Sequence, residues 1–248
     1  MELDNGKVYI VGAGPGDPEL ITVKGLKALK KADCVLYDFL SAPELLNYAK
    51  DSCEKICVGK AGGFHLKEQD EINLLLYEKA LVYRNVVRLK GGDPFVFSRG
   101  CQEAQYLYER GIKCEVIPGI ASAMAAPLSF GIPLTVKDRI QSVSIITGRE
   151  KDVNAEIYAP NRGTLIYLMA VANISNVVKA LKKSKWEGTT LCAFIERATR
   201  PNQRIIQATV DTIEEETFKM KVKPPAVLVV GDVLKEVWRN NSVYAEKI

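Results

Sequence analysis

Apolar positions along this chain fall into two alternating kinds of segment. Short, nearly continuous apolar runs occur at Lys7–Val11 (KVYIV), Asp33–Tyr37 (DCVLY), Lys55–Val58, Val86–Lys90 (VVRLK) and Lys113–Ile117 (KCEVI). Runs of this length, bounded by turn residues, predict strands buried on both faces. Between them the spacing changes to the repeat of an amphipathic helix. Leu20, Val23, Leu26, Ala28 and Leu29 alternate with Lys24, Lys27, Lys30 and Lys31, and Ile72, Leu75, Leu76 and Leu81 form a stripe over Glu68–Leu81. Arg99–Arg110 and Ala121–Phe130 also read as helices, and Pro43–Ala49 as a weak one. About five strand–helix units in succession predict an α/β fold with a parallel sheet and right-handed crossovers.

Beyond this the rhythm changes. Gly131–Thr135 (GIPLT) carries two breakers and reads as a linker, which predicts an N-terminal domain over 1–134 and a C-terminal domain over 135–248. Strands are predicted at Ser142–Thr147, Thr164–Met169, Thr190–Ile195, Gln203–Ala208 and Ala226–Val230, with fewer helices between them, the clearest being Ile174–Leu181. That pattern predicts a mixed, partly antiparallel sheet. Clefts at domain junctions are favoured ligand sites, so the active site is expected between the two domains.

Composition narrows the function classes. The 248 residues carry 34 basic and 30 acidic side chains, a net charge of +4 that suits a small polyanionic substrate but not nucleic acid. No apolar run approaches the ~20 residues of a membrane span. The polar start (MELDNGK) lacks the apolar core of a signal peptide, so a cytoplasmic protein is expected. The single histidine, His65, removes most zinc and Ser-His-Asp schemes, which need imidazoles, and no metal is expected. Six cysteines in a chain this long read as buried thiols rather than a disulfide framework.

The candidate chemistry sits where strands end. Val86–Lys90 runs directly into Gly91-Gly92-Asp93-Pro94, and two adjacent glycines let a ligand lie against bare main chain beside an acceptor-only carboxylate. The first strand empties into Gly12-Ala13-Gly14-Pro15-Gly16-Asp17, the second ends at Asp38, and the third leads to Lys60 between glycines. Gly12, Gly14 and the acid at Asp38 invite a dinucleotide reading. Against it, the third glycine is replaced by Asp17, which brings negative charge to where a pyrophosphate would sit, and Pro15 lacks an N–H.

Taken together, VYIVGAGPGDPELITVKGLKALKKADCVLYD and VVRLKGGDPFVFSRG resemble the two signature segments of the tetrapyrrole methylases. VGKAG at Val58–Gly62, VIPGIASAMAAP at Val116–Pro127, GIPLT and SVSIITG at Ser142–Gly148 follow in the family's order. The resemblance implies that family's two-domain fold, a homodimer, and S-adenosylmethionine (SAM) as cofactor. Within the family the chain is most similar to the branch acting on uroporphyrinogen III. That implies methylation at C2 and then C7, through precorrin-1 to precorrin-2, on the routes to sirohaem and cobalamin. By position it implies Asp38 as proton acceptor and Lys60 as proton donor. It implies cofactor contacts from Pro15, Gly91, Gly92, Asp93, Val96, Ala121, Ser122, Met169, Ala198 and Ala226. Arg88, Arg99, Arg139 and Arg149 are candidates for substrate carboxylates. Departures from the family pattern include FSRGCQE for FGRGGEE, Val136-Lys137-Asp138 for His-Arg-Asp, and Leu168-Met169-Ala170 for Tyr-Met-Gly.

Overall fold

The inner strands of the first half bury nearly every side chain, so their sheet has to be covered on both sides. The edge run Glu54–Cys57 is expected to be buried on both faces but alternates half-buried and exposed, because an edge strand has a neighbour on one side only. The computed structural model describes residues 6–38, 42–59, 68–149 and 156–236. Five strands, β1 (Lys7–Gly12), β2 (Cys34–Tyr37), β3 (Glu54–Cys57), β4 (Asn85–Lys90) and β5 (Lys113–Ile117), form an all-parallel sheet ordered β3-β2-β4-β1-β5. Val11, Val35, Val87 and Leu89 pack with Ala28 and Leu29 of α1 (Val23–Lys31) and Leu45 of the 3₁₀ turn Pro43–Tyr48. Val8, Ile10, Leu36 and Val86 pack with Ile72, Leu76 and Ala80 of α2 (Gln69–Val82) and Leu107 of α3 (Gly100–Tyr108). Covering both faces is the usual condition for a parallel sheet.

The second half builds its own sheet from β6 (Val143–Thr147), β7 (Thr164–Leu168), β8 (Leu191–Glu196), β9 (Arg204–Thr209) and β10 (Ala226–Val230), ordered β6-β7-β10-β8-β9. Only β6 and β7 run parallel, and the other pairings are antiparallel. Tyr167, Phe194 and Leu228 pack against Val177 and Leu181 of α5 (Ile174–Lys183) and Ile213 of α6 (Ile213–Lys219). Ile166, Ala193 and Val229 pack against Ala123 and Ala126 of α4 (Ser122–Leu128).

The chain divides into two units at Ala121/Ser122, upstream of the boundary read at residues 134/135. The reason is α4. Its alanines and Ile132 of the GIPLT segment belong to the core of the second sheet, so the stretch that reads as a linker is packing material. Helix phases also shift slightly. Val23 is 70% exposed and Leu20 lies in a separate 3₁₀ turn, so α1 buries Ala28 and Leu29 alone of the predicted stripe. In α2 the buried line runs Ile72, Leu76, Ala80, and Leu81 turns outward. Helix α6 escapes the pattern reading because IEEETFK buries only Ile213 and Thr217. Among the described residues no helix is long and apolar enough to cross a membrane.

Cys34, in the first unit, and Cys192, in the second, are buried free thiols, and burial pushes each up to about 12. Unfolded, such a thiol ionises from its ordinary value of 9.0. Above pH 9 the unfolded chain therefore loses protons that the folded chain keeps, and stability falls by about 1.4 kcal/mol per thiol per pH unit until the folded thiol also ionises. Urea midpoints under reducing conditions should drop between pH 8 and pH 10.5. A thiol reagent at pH 8 should label exposed Cys57 and Cys101 rapidly, and Cys34 and Cys192 only after denaturation. Fast native labelling of Cys34 or Cys192 would contradict this packing.

Candidate functional site

In an all-parallel sheet every strand delivers its following loop to the same edge, and β4, β1 and the edge strand β5 are neighbours. Their three loops meet there, backbone against backbone. Ala13 N–H donates to Lys90 C=O at 2.7 Å, and Gly14 and Gly92 exchange both N–H···O bonds at 3.2 and 2.7 Å. Gly14 and Gly92 hold φ of +82° and +68°, a conformation that disfavours side chains. A Cβ on Gly119 would lie 2.3 Å from the Gly92 oxygen and 2.7 Å from Gly12 Cα. One on Gly12 would lie 2.5 Å from Gly119 N. Glycine is needed at 12 and 119 for proximity and at 14 and 92 for backbone conformation.

Asp93 stitches the seat together. Its Oδ1 accepts from Phe95 N–H at 2.8 Å and its Oδ2 from Gly119 N–H at 3.1 Å. A carboxylate has about four lone-pair sites, so each oxygen keeps acceptor capacity while also joining the β4 and β5 loops. Pro15, Gly91, Gly92, Asp93 and Val96 are half-buried around this edge; Ala121 is buried and Ser122 half-buried after the β5 loop. Phe95 and Phe97 lie on the same β4 loop and are about half exposed.

The dinucleotide alternative fails on geometry. Asp17 turns its carboxylate onto Glu19 N–H at 2.9 Å and caps a 3₁₀ turn, Pro18–Leu20. The helix proper begins only at Val23, capped by Thr22 Oγ1 accepting from Gly25 N–H at 3.1 Å. No helix N-terminus opens directly from the glycine loop to receive a pyrophosphate.

Asp38 follows β2 on the same edge. Its backbone N–H donates to Leu89 C=O at 3.2 Å, and its Oδ1 accepts from an Arg88 Nη at 2.5 Å. Arg88 is only 2% exposed. Its Nε donates to Glu103 Oε1 at 3.1 Å, its other Nη donates to Leu89 C=O at 3.2 Å, and Lys90 Nζ reaches the same Glu103 oxygen at 3.0 Å. Burial opposes the Arg88 charge, but Asp38 and Glu103 outweigh it and hold the guanidinium above its ordinary range. Burial and the Arg88 charge push the Lys90 ammonium below its ordinary range, against the pull of Glu103 and Asp38. This network is absent from the sequence reading, although its signal is present. Arg88 and Lys90 alternate onto one face of β4, and Glu103 shares the buried line Gly100, Glu103, Leu107 of α3.

The other predicted positions separate. Lys60 lies outside the described residues. Of the candidate arginines, Arg88 is committed to Asp38 and Glu103, and Arg139 forks onto Glu236 with two 2.7 Å bonds, while Arg99 and Arg149 are exposed. In the second unit Met169, Ala198 and Ala226 gather at one end of the sheet. Met169 follows β7, Ala198 follows β8, and Ala226 opens β10, which lies between those strands. Three non-glycine residues there have positive φ: Met169 at 59°, Arg197 at 48° and Thr199 at 65°. Such strain concentrates at functional sites. Among the described residues no group of three His, Cys, Asp or Glu side chains could hold a metal ion.

A family model described as tetrapyrrole (corrin/porphyrin) methylases matches residues 7–214. A uroporphyrinogen-III C-methyltransferase of Methanocaldococcus jannaschii is 49% identical over 92% of this chain and 97% of its own length. An S-adenosyl-L-methionine-dependent uroporphyrinogen III methyltransferase of Methanosarcina barkeri is 43% identical over 94% of each chain. Among solved structures, a uroporphyrin-III C-methyl transferase from Thermus thermophilus complexed with S-adenosylhomocysteine superimposes with a TM-score of 0.79. That structure is 37% identical, covering 93% of this chain and all of the other.

The three-loop contact is testable on its own. Gly119→Ala forces a methyl against backbone that cannot swing away, and overpacking of this kind costs about 1–3 kcal/mol. Urea unfolding should show that loss in the first unit. Unchanged stability would overturn the close approach of Gly12, Gly92 and Gly119.

Proposed function

The chain belongs to the tetrapyrrole methylases, and from that membership we propose that it transfers methyl groups from SAM to uroporphyrinogen III. The observation that carries this reading is the pairing of the glycine seat, built on β4, β1 and β5, with Asp38 on the next strand of the same edge. The seat suits a nucleoside cofactor without phosphates. It offers bare glycine backbone, a carboxylate with spare acceptor capacity at Asp93, and no helix N-terminus aimed at an anion. SAM, when bound, supplies a methyl that is already electrophilic on a sulfonium.

What remains for the protein is alignment and proton transfer. Main chain at Gly91 and Gly92, with Asp93, Pro15, Val96 and Ala121, orients the cofactor; Ser122, Met169, Ala198 and Ala226 are the second unit's positions that the family likeness assigns to it. Holding the reacting carbon in line accounts for much of the acceleration. Asp38 accepts the proton that the cationic methylated macrocycle sheds to become neutral. Lys60 donates a proton or anchors a substrate carboxylate. The exposed guanidinium groups of Arg99 and Arg149 remain available for bidentate pairing with the polycarboxylate substrate, whereas Arg88 and Arg139 are occupied. The finer reading is methylation at C2 and then C7, through precorrin-1 to precorrin-2, by a cytoplasmic homodimer feeding sirohaem or cobalamin synthesis.

Purified protein given SAM and enzymatically generated uroporphyrinogen III should yield a dimethylated tetrapyrrole by mass spectrometry, with NMR placing the methyls at C2 and C7. A protein that leaves the substrate unmethylated would sink the proposal, and methyls elsewhere would redirect it to a later precorrin. Asp38→Asn should retain S-adenosylhomocysteine affinity while kcat falls about 10²–10⁴-fold, the usual worth of a general base. Normal turnover in that variant would remove Asp38 from the mechanism.

A further inference from the structure

Glu103 has no part in the mechanism above, yet it is a carboxylate with no solvent exposure. Stability alone is a poor account of it, because replacing a buried ionic group by well-packed apolar residues is often neutral or favourable. Its own satisfaction is also incomplete. Oε1 gathers Arg88 Nε at 3.1 Å, Lys90 Nζ at 3.0 Å and Gln69 Nε2 at 3.4 Å, while Oε2 has no hydrogen-bond partner among the described residues. An orphaned buried oxygen in an otherwise connected network calls for an explanation beyond packing.

The geometry points to a positioning role: we infer that Glu103 fixes the Asp38 carboxylate by immobilising Arg88 between them. This rests on the reading of Asp38 as the proton acceptor. A guanidinium is a rigid planar fork, so two fixed points on it determine where the third points. Glu103 holds Nε and the Leu89 carbonyl holds one Nη, which leaves the other Nη directed at Asp38 Oδ1, 2.5 Å away. With Glu103 absent, Arg88 would keep Asp38 as its one carboxylate partner within the network and could pivot about its side chain. Asp38 itself follows the last residue of β2, Tyr37, and has left the regular strand. Lys90 shares the Glu103 oxygen and fixes it from a second position on β4, while Gln69 ties it to α2. Three donors from two elements thus converge on one oxygen of α3 whose outward consequence is the orientation of Asp38.

A double-mutant cycle separates positioning from structural support. Glu103→Gln should lower kcat about 10–100-fold, the scale of a sub-ångström to ångström misplacement, with KM for SAM and S-adenosylhomocysteine affinity unchanged. In an Asp38→Asn background the same change should cost no further factor, because the group it positions no longer works as a base. Losses that multiply in the double variant would show Glu103 acting on the fold and would overturn the inference. Glu103→Asp keeps the charge but withdraws it by one methylene. It should melt near wild type and still lose kcat, and it carries the cycle if Glu103→Gln does not fold. Wild-type turnover in Glu103→Asp would reduce Glu103 to charge balance and also overturn the inference. The two readings fail separately. Wild-type protein that binds S-adenosylhomocysteine but methylates no uroporphyrinogen III removes the proposed function and this inference with it, whereas active wild type with multiplicative losses removes the inference alone.

Discussion

The contact on which the first unit depends is one of backbone with backbone. Three loops from strands adjacent in space but far apart in sequence approach so closely that no side chain fits at Gly12 or Gly119. From this follow the reciprocal Gly14–Gly92 bonds, the placement of Asp93 across two loops, and a seat made chiefly of main chain. Because the walls are peptide rather than side chains, the seat would have few rotamers to order on taking up a ligand, which would lower the entropic cost of binding. The same closeness makes the seat intolerant of substitution.

Beside that seat stands the only fully buried carboxylate–guanidinium–ammonium cluster among the described residues. Arg88 and Lys90 occupy positions on β4 where the strand pattern calls for apolar side chains. Their charges are balanced by Glu103 from α3 and Asp38 from the end of β2. Fixed charges in a medium of low polarisability act strongly on one another. The cluster therefore couples two strands and a helix through directional bonds, where dispersion contacts alone would tolerate small slips.

Much of this architecture was legible in the residues because it rests on local periodicity. All ten strands lie within a residue or so of the apolar runs that predict them, and Asp38 and the glycine turns fall at strand ends as read. What escaped has a common cause: it depends on partners distant in sequence. GIPLT looks like a linker because Gly131 and Pro133 break helices, yet Ile132 is core once the second sheet is present. Asp93 reads as a ligand-facing acid, but its first duty is to two backbone N–H groups, one of them at Gly119. Glu103 sits in FSRGCQE as one polar residue among several, and nothing local signals that Arg88 waits opposite. Leu81 and Val23 show the reverse error, apolar residues counted inward by spacing that the actual helix phase turns to water.

The strand order β3-β2-β4-β1-β5 also has a consequence in time. β1 is synthesised before the other strands of its sheet, yet both its neighbours, β4 and β5, lie far downstream. Until residues 85–90 exist β1 has neither of its sheet partners, and until 113–117 exist it has only one, a state prone to mispairing and slow to resolve. β5 closes the sheet, and its loop brings Gly119, the last of the three contacts. The seat is thus the final feature of the first unit to appear, and occupancy by a ligand would mark, in a growing or refolding chain, the moment at which that unit is complete.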